Sequence, residues 1–168
     1  MARRLSPVGL DFIESAALRH VFTREVSAPP EAVYRALAHD LAGWPTWFTA
    51  VTQCRPTDGG KGRDVRLKGG TRFRETILAA DEPERYAYRV DVTNAPGPRA
   101  LVEEWRLTPA GTGTRVRWTL AADGAPPFRL VLKLSRAGLG RAFRDAVTTL
   151  DRRLMAATGQ RPPGGGGA

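Results

Sequence analysis

The chain has one cysteine, Cys54, and only two histidines and two methionines in 168 residues. A lone thiol excludes an intramolecular disulfide and leaves no partner set for a zinc site. A reducing compartment, the cytoplasm, is therefore the expected location, and neither a metal nor a cofactor is expected. With only His20 and His39 present, imidazole chemistry has little to work with. No Ser/His/Asp order with a nucleophile elbow, no His-Glu-x-x-His and no Walker or dinucleotide fingerprint occurs. Gly59-Gly60-Lys61-Gly62 sits between two short strand-like runs with no helix after it, so it reads as a hairpin loop and not as a phosphate cradle. No window approaches the roughly 20 apolar residues of a membrane span. The first ten residues carry arginines but lack the apolar run of a signal peptide.

Lysine is scarce as well: Lys61, Lys68 and Lys133 are the only three among 26 basic residues, and the rest are arginine. The net charge of +9 raises nucleic acid as a partner. The arginines are scattered along strands and helix faces, in a composition also rich in Ala, Gly and Pro. That pattern marks a genomic composition bias and a solvated surface, so nucleic acid is not expected as a partner. A chain of this length forms one domain with a core large enough to leave a cavity.

Period-2 alternation is the clearest pattern present. Tyr86, Tyr88, Val90 and Val92 form one face of a run. Leu101, Glu103, Trp105 and Leu107 form a second such face, and Val116, Trp118, Leu120 and Ala122 a third. Each strand so read has one apolar and one mostly polar side, as in an antiparallel sheet wetted on one face. Weaker strands are expected over 18–27, 51–55, 63–68 and 71–80, with Gly69-Gly70 as a hairpin turn. A helix is expected from about 127 to about 158, opened by Pro126-Pro127 and closed by Gly159. Its stripe is Leu139, Phe143, Val147, Leu150 and Leu154. Gly138 and Gly140 inside it call for a reason, either close approach by another group or a break between two helices.

A one-faced sheet must bury that face, and this helix offers the only long apolar stripe. The fold class is thus α+β, a curved antiparallel sheet of about six to seven strands wrapped around a long C-terminal helix. Residues 1–17 are a leader, 18–158 the single domain and 159–168 a tail disordered by composition.

Residues 27–48 precede most of the sheet. Pro29-Pro30-Glu31 suits a first helical turn, Val33, Leu37 and Leu41 make an apolar face, and Trp44-Pro45-Thr46-Trp47-Phe48 follows at once. This segment, with the element order, resembles the START-related helix-grip (SRPBCC) superfamily, most closely its polyketide cyclase/dehydrase-type branch. The resemblance covers roughly residues 18–156. It implies a helix-grip fold with two short helices after the first strand and a cavity between the concave sheet and the C-terminal helix. Carried onto this chain, Phe73, Glu75, Tyr86, Tyr88, Glu103, Trp105 and Trp118 face that cavity from the sheet. Leu139 and Phe143 face it from the helix, and Trp44, Trp47 and Phe48 form a wall or rim.

Glu75 and Glu103 fall on apolar faces by register. A carboxylate so placed has a raised pKa and can hold a ligand hydroxyl or act as an acid; the alternative is an arginine partner across the strands. The resemblance implies binding of an apolar or aromatic small molecule, polyketide-like, acyl or lipid, with cyclase or aromatase activity on the same pocket as a further reading. No catalytic residue carries over. The competing reading is a protein- or ribosome-interacting module without turnover. Peripheral membrane contact through the basic helix face comes last, and the expected state is monomer or homodimer.

Overall fold

A computed structural model describes residues 1–159; the expected disordered tail from residue 160 onward lies outside the described residues. Eight strands form one antiparallel sheet: β1 (Arg3–Arg4), β2 (Leu18–Val26), β3 (Val51–Thr57), β4 (Gly62–Leu67), β5 (Arg72–Asp81), β6 (Arg85–Thr93), β7 (Pro98–Ala110) and β8 (Gly113–Gly124). Their order is β2-β8-β7-β6-β5-β4-β3, with the short β1 added beside β6. The first and last long strands thus pair, and β3 to β8 follow as a meander of hairpins, the arrangement that short Gly- and Pro-rich connections favour. Residues before 18 pack on the sheet: Leu5 and Ile13 are buried, the latter on the single-turn helix α1 (Phe12–Ser15).

After β2 comes α2 (Pro30–Tyr34), which continues as a wider turn over Arg35–His39 and then a tight turn over Leu41–Thr46. Pro30 at the helix start needs no hydrogen-bond partner for its missing N–H. Val33, Leu37, Leu41 and Trp44 are buried, and the Trp44 indole donates to the Leu37 carbonyl at 3.0 Å. Asp151, from the C-terminal helix, accepts from the backbone N–H groups of Ser27 and Ala28 at 2.9 to 3.0 Å, which ties that helix to the end of β2.

The expected single C-terminal helix is two. α3 (Pro126–Leu134) ends at Ser135 and α4 (Arg136–Gly159) follows. The break falls at Ser135, before the two glycines, so they are not its cause. A Cβ at Gly140 would lie 3.0 Å from the Phe22 ring, whereas one at Gly138 would meet nothing. Close approach of a sheet side chain explains Gly140, and Gly138 has no packing role. α3 buries none of its residues, and Leu130, Val131 and Leu134 on it are 58%, 62% and 74% exposed. Phe128 lies against the backbone of Gly97 and Gly124, where side chains would collide with it, the Leu132 side chain packs on the core, and the His20 imidazole meets the Leu132 carbonyl at 2.9 Å. The hydrogen bond from the Arg136 guanidinium to His20 Nδ1 leaves Nε2 as the donor to Leu132. Among the described residues no helix is long and apolar enough to cross a membrane.

These contacts separate the two glycines by experiment. Gly138→Ala is expected to stabilise the protein by about 0.5–1 kcal/mol, the helix-propensity gain alone. Gly140→Ala should fall short of that gain because Phe22 must shift. Urea unfolding of both variants checks this, and equal stabilisation would contradict the packing role of Gly140.

Candidate functional site

The concave face of the sheet does not meet the helices everywhere. Between them lies a chamber of about 280 Å³. Its floor comes from β4 to β8 (Val65, Phe73, Leu101, Trp118 and Leu120), one wall from Trp44, Phe48 and Val51, and its roof from Phe128 and Leu132 of α3 with Leu139 and Ala142 of α4. α3 meets the sheet at its start, through Phe128 against Gly124, and none of its residues is fully buried. α4 packs tightly only beyond it, through Phe143, Ala146, Val147 and Leu150.

Eight of the residues expected from the sequence line this chamber: Trp44, Phe48, Phe73, Glu75, Tyr88, Glu103, Trp118 and Leu139. Four do not. Trp47 packs on Trp44 and Phe48 with a centroid distance of 4.7 Å to Trp44. Trp105 lies behind Tyr88 and between Trp44 and Trp118, wholly buried. Phe143 fills the space under Phe22 and Trp118. Tyr86 lies beyond the far end against Tyr34, with Arg63 between it and the chamber. Alternation places Tyr86 and Trp105 on the inner face, but it does not say how far along the strands the space extends. A β-bulge between Val90 and Val92 also shifts the phase of β6, so Thr93 pairs with Phe73 on the inner face where Val92 was expected.

Arg63 was missed. An arginine on a strand reads as outward, yet Arg63 is in phase with Val65 and Leu67, and that phase was the available signal. It is 2% exposed. Its guanidinium carbon lies 3.6 Å from the Tyr88 ring centre and 4.5 Å from that of Trp44, and Nε donates to the Glu75 carboxylate. Nη1 is buried with no partner among the described residues. The ring faces supply part of what water would have given this cation. The arginine partner across the strands weighed for Glu75 is therefore real: Arg63 stands opposite it in the β4–β5 register, inside the chamber wall. Burial outweighs the Arg63 charge and pushes Glu75 up to about 7.

Glu103 is held without an arginine. The Tyr88 hydroxyl donates to its Oε2 at 2.8 Å and the Trp118 indole donates to the same oxygen at 3.0 Å. Tyr88 in turn accepts from the Trp105 indole at 3.0 Å. Burial raises the Glu103 pKa above its ordinary value, opposed by the bonds from Tyr88 and Trp118 and by the Arg63 charge. Burial and the neighbouring Glu103 hold Tyr88 well above the usual phenol range, so it acts as a neutral donor. Cys54, buried nearby, is pushed up to about 11 by desolvation, which disfavours its thiolate. Among the described residues no group of His, Cys, Asp and Glu gathers as a metal site.

The outer face differs from the sequence expectation in one respect. Cross-strand pairing gathers Arg55, Arg66, Arg72 and Arg74 around a shallow groove, with Asp64 bridging to Arg74 at 3.4 Å. Register, not sequence proximity, makes this cluster.

A curved antiparallel sheet closed over a chamber by a C-terminal helix is a START-like fold. The family described as polyketide cyclase/dehydrase and lipid transport matches residues 19–155, and the chain belongs to that family. Uncharacterised proteins of Mycobacterium tuberculosis and Mycobacterium bovis are 30% identical to it over 150 residues, covering 86% of this chain and 89% of theirs. A START superfamily protein from Mycobacterium smegmatis superposes with a TM-score of 0.64 at 14% identity, over 83% of this chain and 98% of that one. A Rhodobacter sphaeroides protein gives 0.66 at 22% identity, over 94% and 99%. These structures share the fold.

Glu75 also links stability to pH. Its native pKa lies above the ordinary 4.5, so its contribution is complete below 4.5 and is lost as pH rises through about 7. From pH 5 to pH 8 the wild type is expected to lose stability relative to Glu75→Gln, by at most about 1.4 kcal/mol per pH unit. Urea midpoints at the two pH values measure this, and an unchanged difference would show that Glu75 is ionised throughout.

Proposed function

We propose that the protein binds one apolar small molecule in the chamber between the concave sheet and α3–α4. The observation that carries this reading is a chamber of about 280 Å³ with aromatic and aliphatic walls, whose charged side chains, Arg63, Glu75 and Glu103, all come from the sheet side. Burial of apolar ligand surface contributes roughly 25 cal/mol per Å², and a few polar groups at one wall set orientation. An engineered apolar cavity of about 150 Å³ takes benzene, so the volume here suits a molecule of about two rings better than a long acyl chain. The weakly held α3 is the natural way in, because releasing the His20–Leu132 bond and the Phe128 contact uncovers the chamber.

Turnover is not needed for this reading. Glu75 and Glu103 have the raised pKa of general acids, but one is paired to Arg63 and the other is held by Tyr88 and Trp118. The competing reading, a module that binds only macromolecules, has the outer arginine cluster in its favour but does not account for a chamber kept open inside the core.

Binding of naphthalene, followed by quenching of Trp44 and Trp118 and by thermal shift, tests the proposal. Saturable binding is expected in the wild type. Ala142→Phe, which fills the roof, should weaken it by about tenfold or more while the protein stays folded by circular dichroism. No saturable binding, or equal binding by Ala142→Phe, would overturn the chamber as the ligand site.

A further inference from the structure

The polar wall of the chamber is unevenly satisfied. Both donors that reach Glu103, the Tyr88 hydroxyl and the Trp118 indole, bond to Oε2. Oε1 accepts no hydrogen bond from any described residue, and Glu103 lines the chamber. The Tyr88 hydroxyl is used in both directions, donating to Glu103 and accepting from Trp105. Arg63 is the one basic side chain in the wall among the described residues, and its Nε is committed to Glu75. Its unpartnered Nη1 is sealed from the chamber. Glu75 Oε1 likewise accepts no bond from any described residue, but its carboxyl group is already committed to Arg63, so Glu103 Oε1 is the free acceptor on a carboxyl group without a cation partner.

Resting on the ligand-chamber reading above, we propose that the ligand is a hydroxyl-bearing apolar molecule, a phenol or alcohol, whose hydroxyl bonds to Glu103 Oε1, and that carboxylate-bearing ligands are rejected. Two arguments support the hydroxyl. First, it matches Glu103 in either protonation state: it donates to an ionised Oε1, and it accepts from a protonated one. With both protein donors on Oε2, a proton on the carboxyl group belongs on Oε1. Second, the single guanidinium in this wall is already paired to Glu75, and Glu103 has no cation of its own among the described residues. A ligand carboxylate would be a third carboxyl group beside one guanidinium that Glu75 already holds, in a place where burying an unpaired charge is costly. It could enter only by taking up a proton.

Matched two-ring probes separate the possibilities. Isothermal titration of the wild type at pH 7.5 with naphthalene, 2-naphthol and 2-naphthoate should rank 2-naphthol first. The naphthoate should bind at least about tenfold more weakly than the naphthol. In Glu103→Gln the amide brings a donor and removes the negative charge, so the naphthol advantage over the naphthoate should shrink by about tenfold, while naphthalene binding changes little. Naphthoate binding as tight as naphthol in the wild type would overturn the proposal with the chamber reading intact. An unchanged ratio in Glu103→Gln would do the same by removing Glu103 from the recognition. Failure of all three probes would instead remove the chamber reading, and this proposal with it. The wild-type ranking decides the matter even if Glu103→Gln does not fold.

Discussion

A guanidinium buried under two aromatic rings and paired to a carboxyl group is costly to place in a core, and most of the inner architecture follows from accommodating it. Arg63 cannot be left alone, because desolvating a charge without a partner costs several kcal/mol. Glu75 answers it on the neighbouring strand, in the direct register Arg63–Glu75. Trp44 and Tyr88 cover its faces, and Trp44 can do so only because the turn over Leu41–Thr46 folds its indole back to bond Leu37. Tyr88, fixed under the cation, then presents its hydroxyl to Glu103, and Trp118 adds a second donor. One buried charge thus organises a polar wall that side chains of the opposite helices do not reach. A wall of this kind cannot collapse onto aliphatic side chains without leaving polar atoms unpaired, which is a physical reason for a chamber to persist there.

Much of this was legible in the sequence, and the limits have physical causes. Alternation in β6, β7 and β8 identified the concave face and put Glu103 on it, and the Phe73-Glu75-Ile77 phase of β5 put Glu75 there, because a period of two leaves no freedom about which face a residue occupies. It gave no depth along the strand, so Trp105 and Tyr86 could not be told from Trp118 and Tyr88. It also failed at the bulge in β6, where an inserted residue reverses the phase and brings Thr93 inward. Arg63 went unseen because charge overrides phase in reading a short strand. The roof went unseen for a different reason. Phe128 and Leu132 read as the start of one continuous helix, and nothing local in Leu134-Ser135-Arg136 announces a break.

The two faces of the sheet carry different chemistry. The outer face holds arginines that are paired to Asp91 and Asp64 or open to solvent, where water screens charge, while the buried Glu104 is met by both Arg85 and Arg106. The inner face holds one arginine and two carboxyl groups, where each charge must be met individually. The family membership of residues 19–155 and the shared START-like fold are consistent with the inner face as the site of function.

The most direct test of the account is where a bound apolar molecule sits. Isotope-filtered nuclear Overhauser spectroscopy of the labelled protein with unlabelled naphthalene reports this without any substitution. The account predicts contacts to Phe73 and Leu101 from the sheet and to Leu132, Leu139 and Ala142 from the helices, all on one site. Contacts confined to the exposed side of α3 at Leu130, Val131 and Leu134, with none to the sheet, would contradict it.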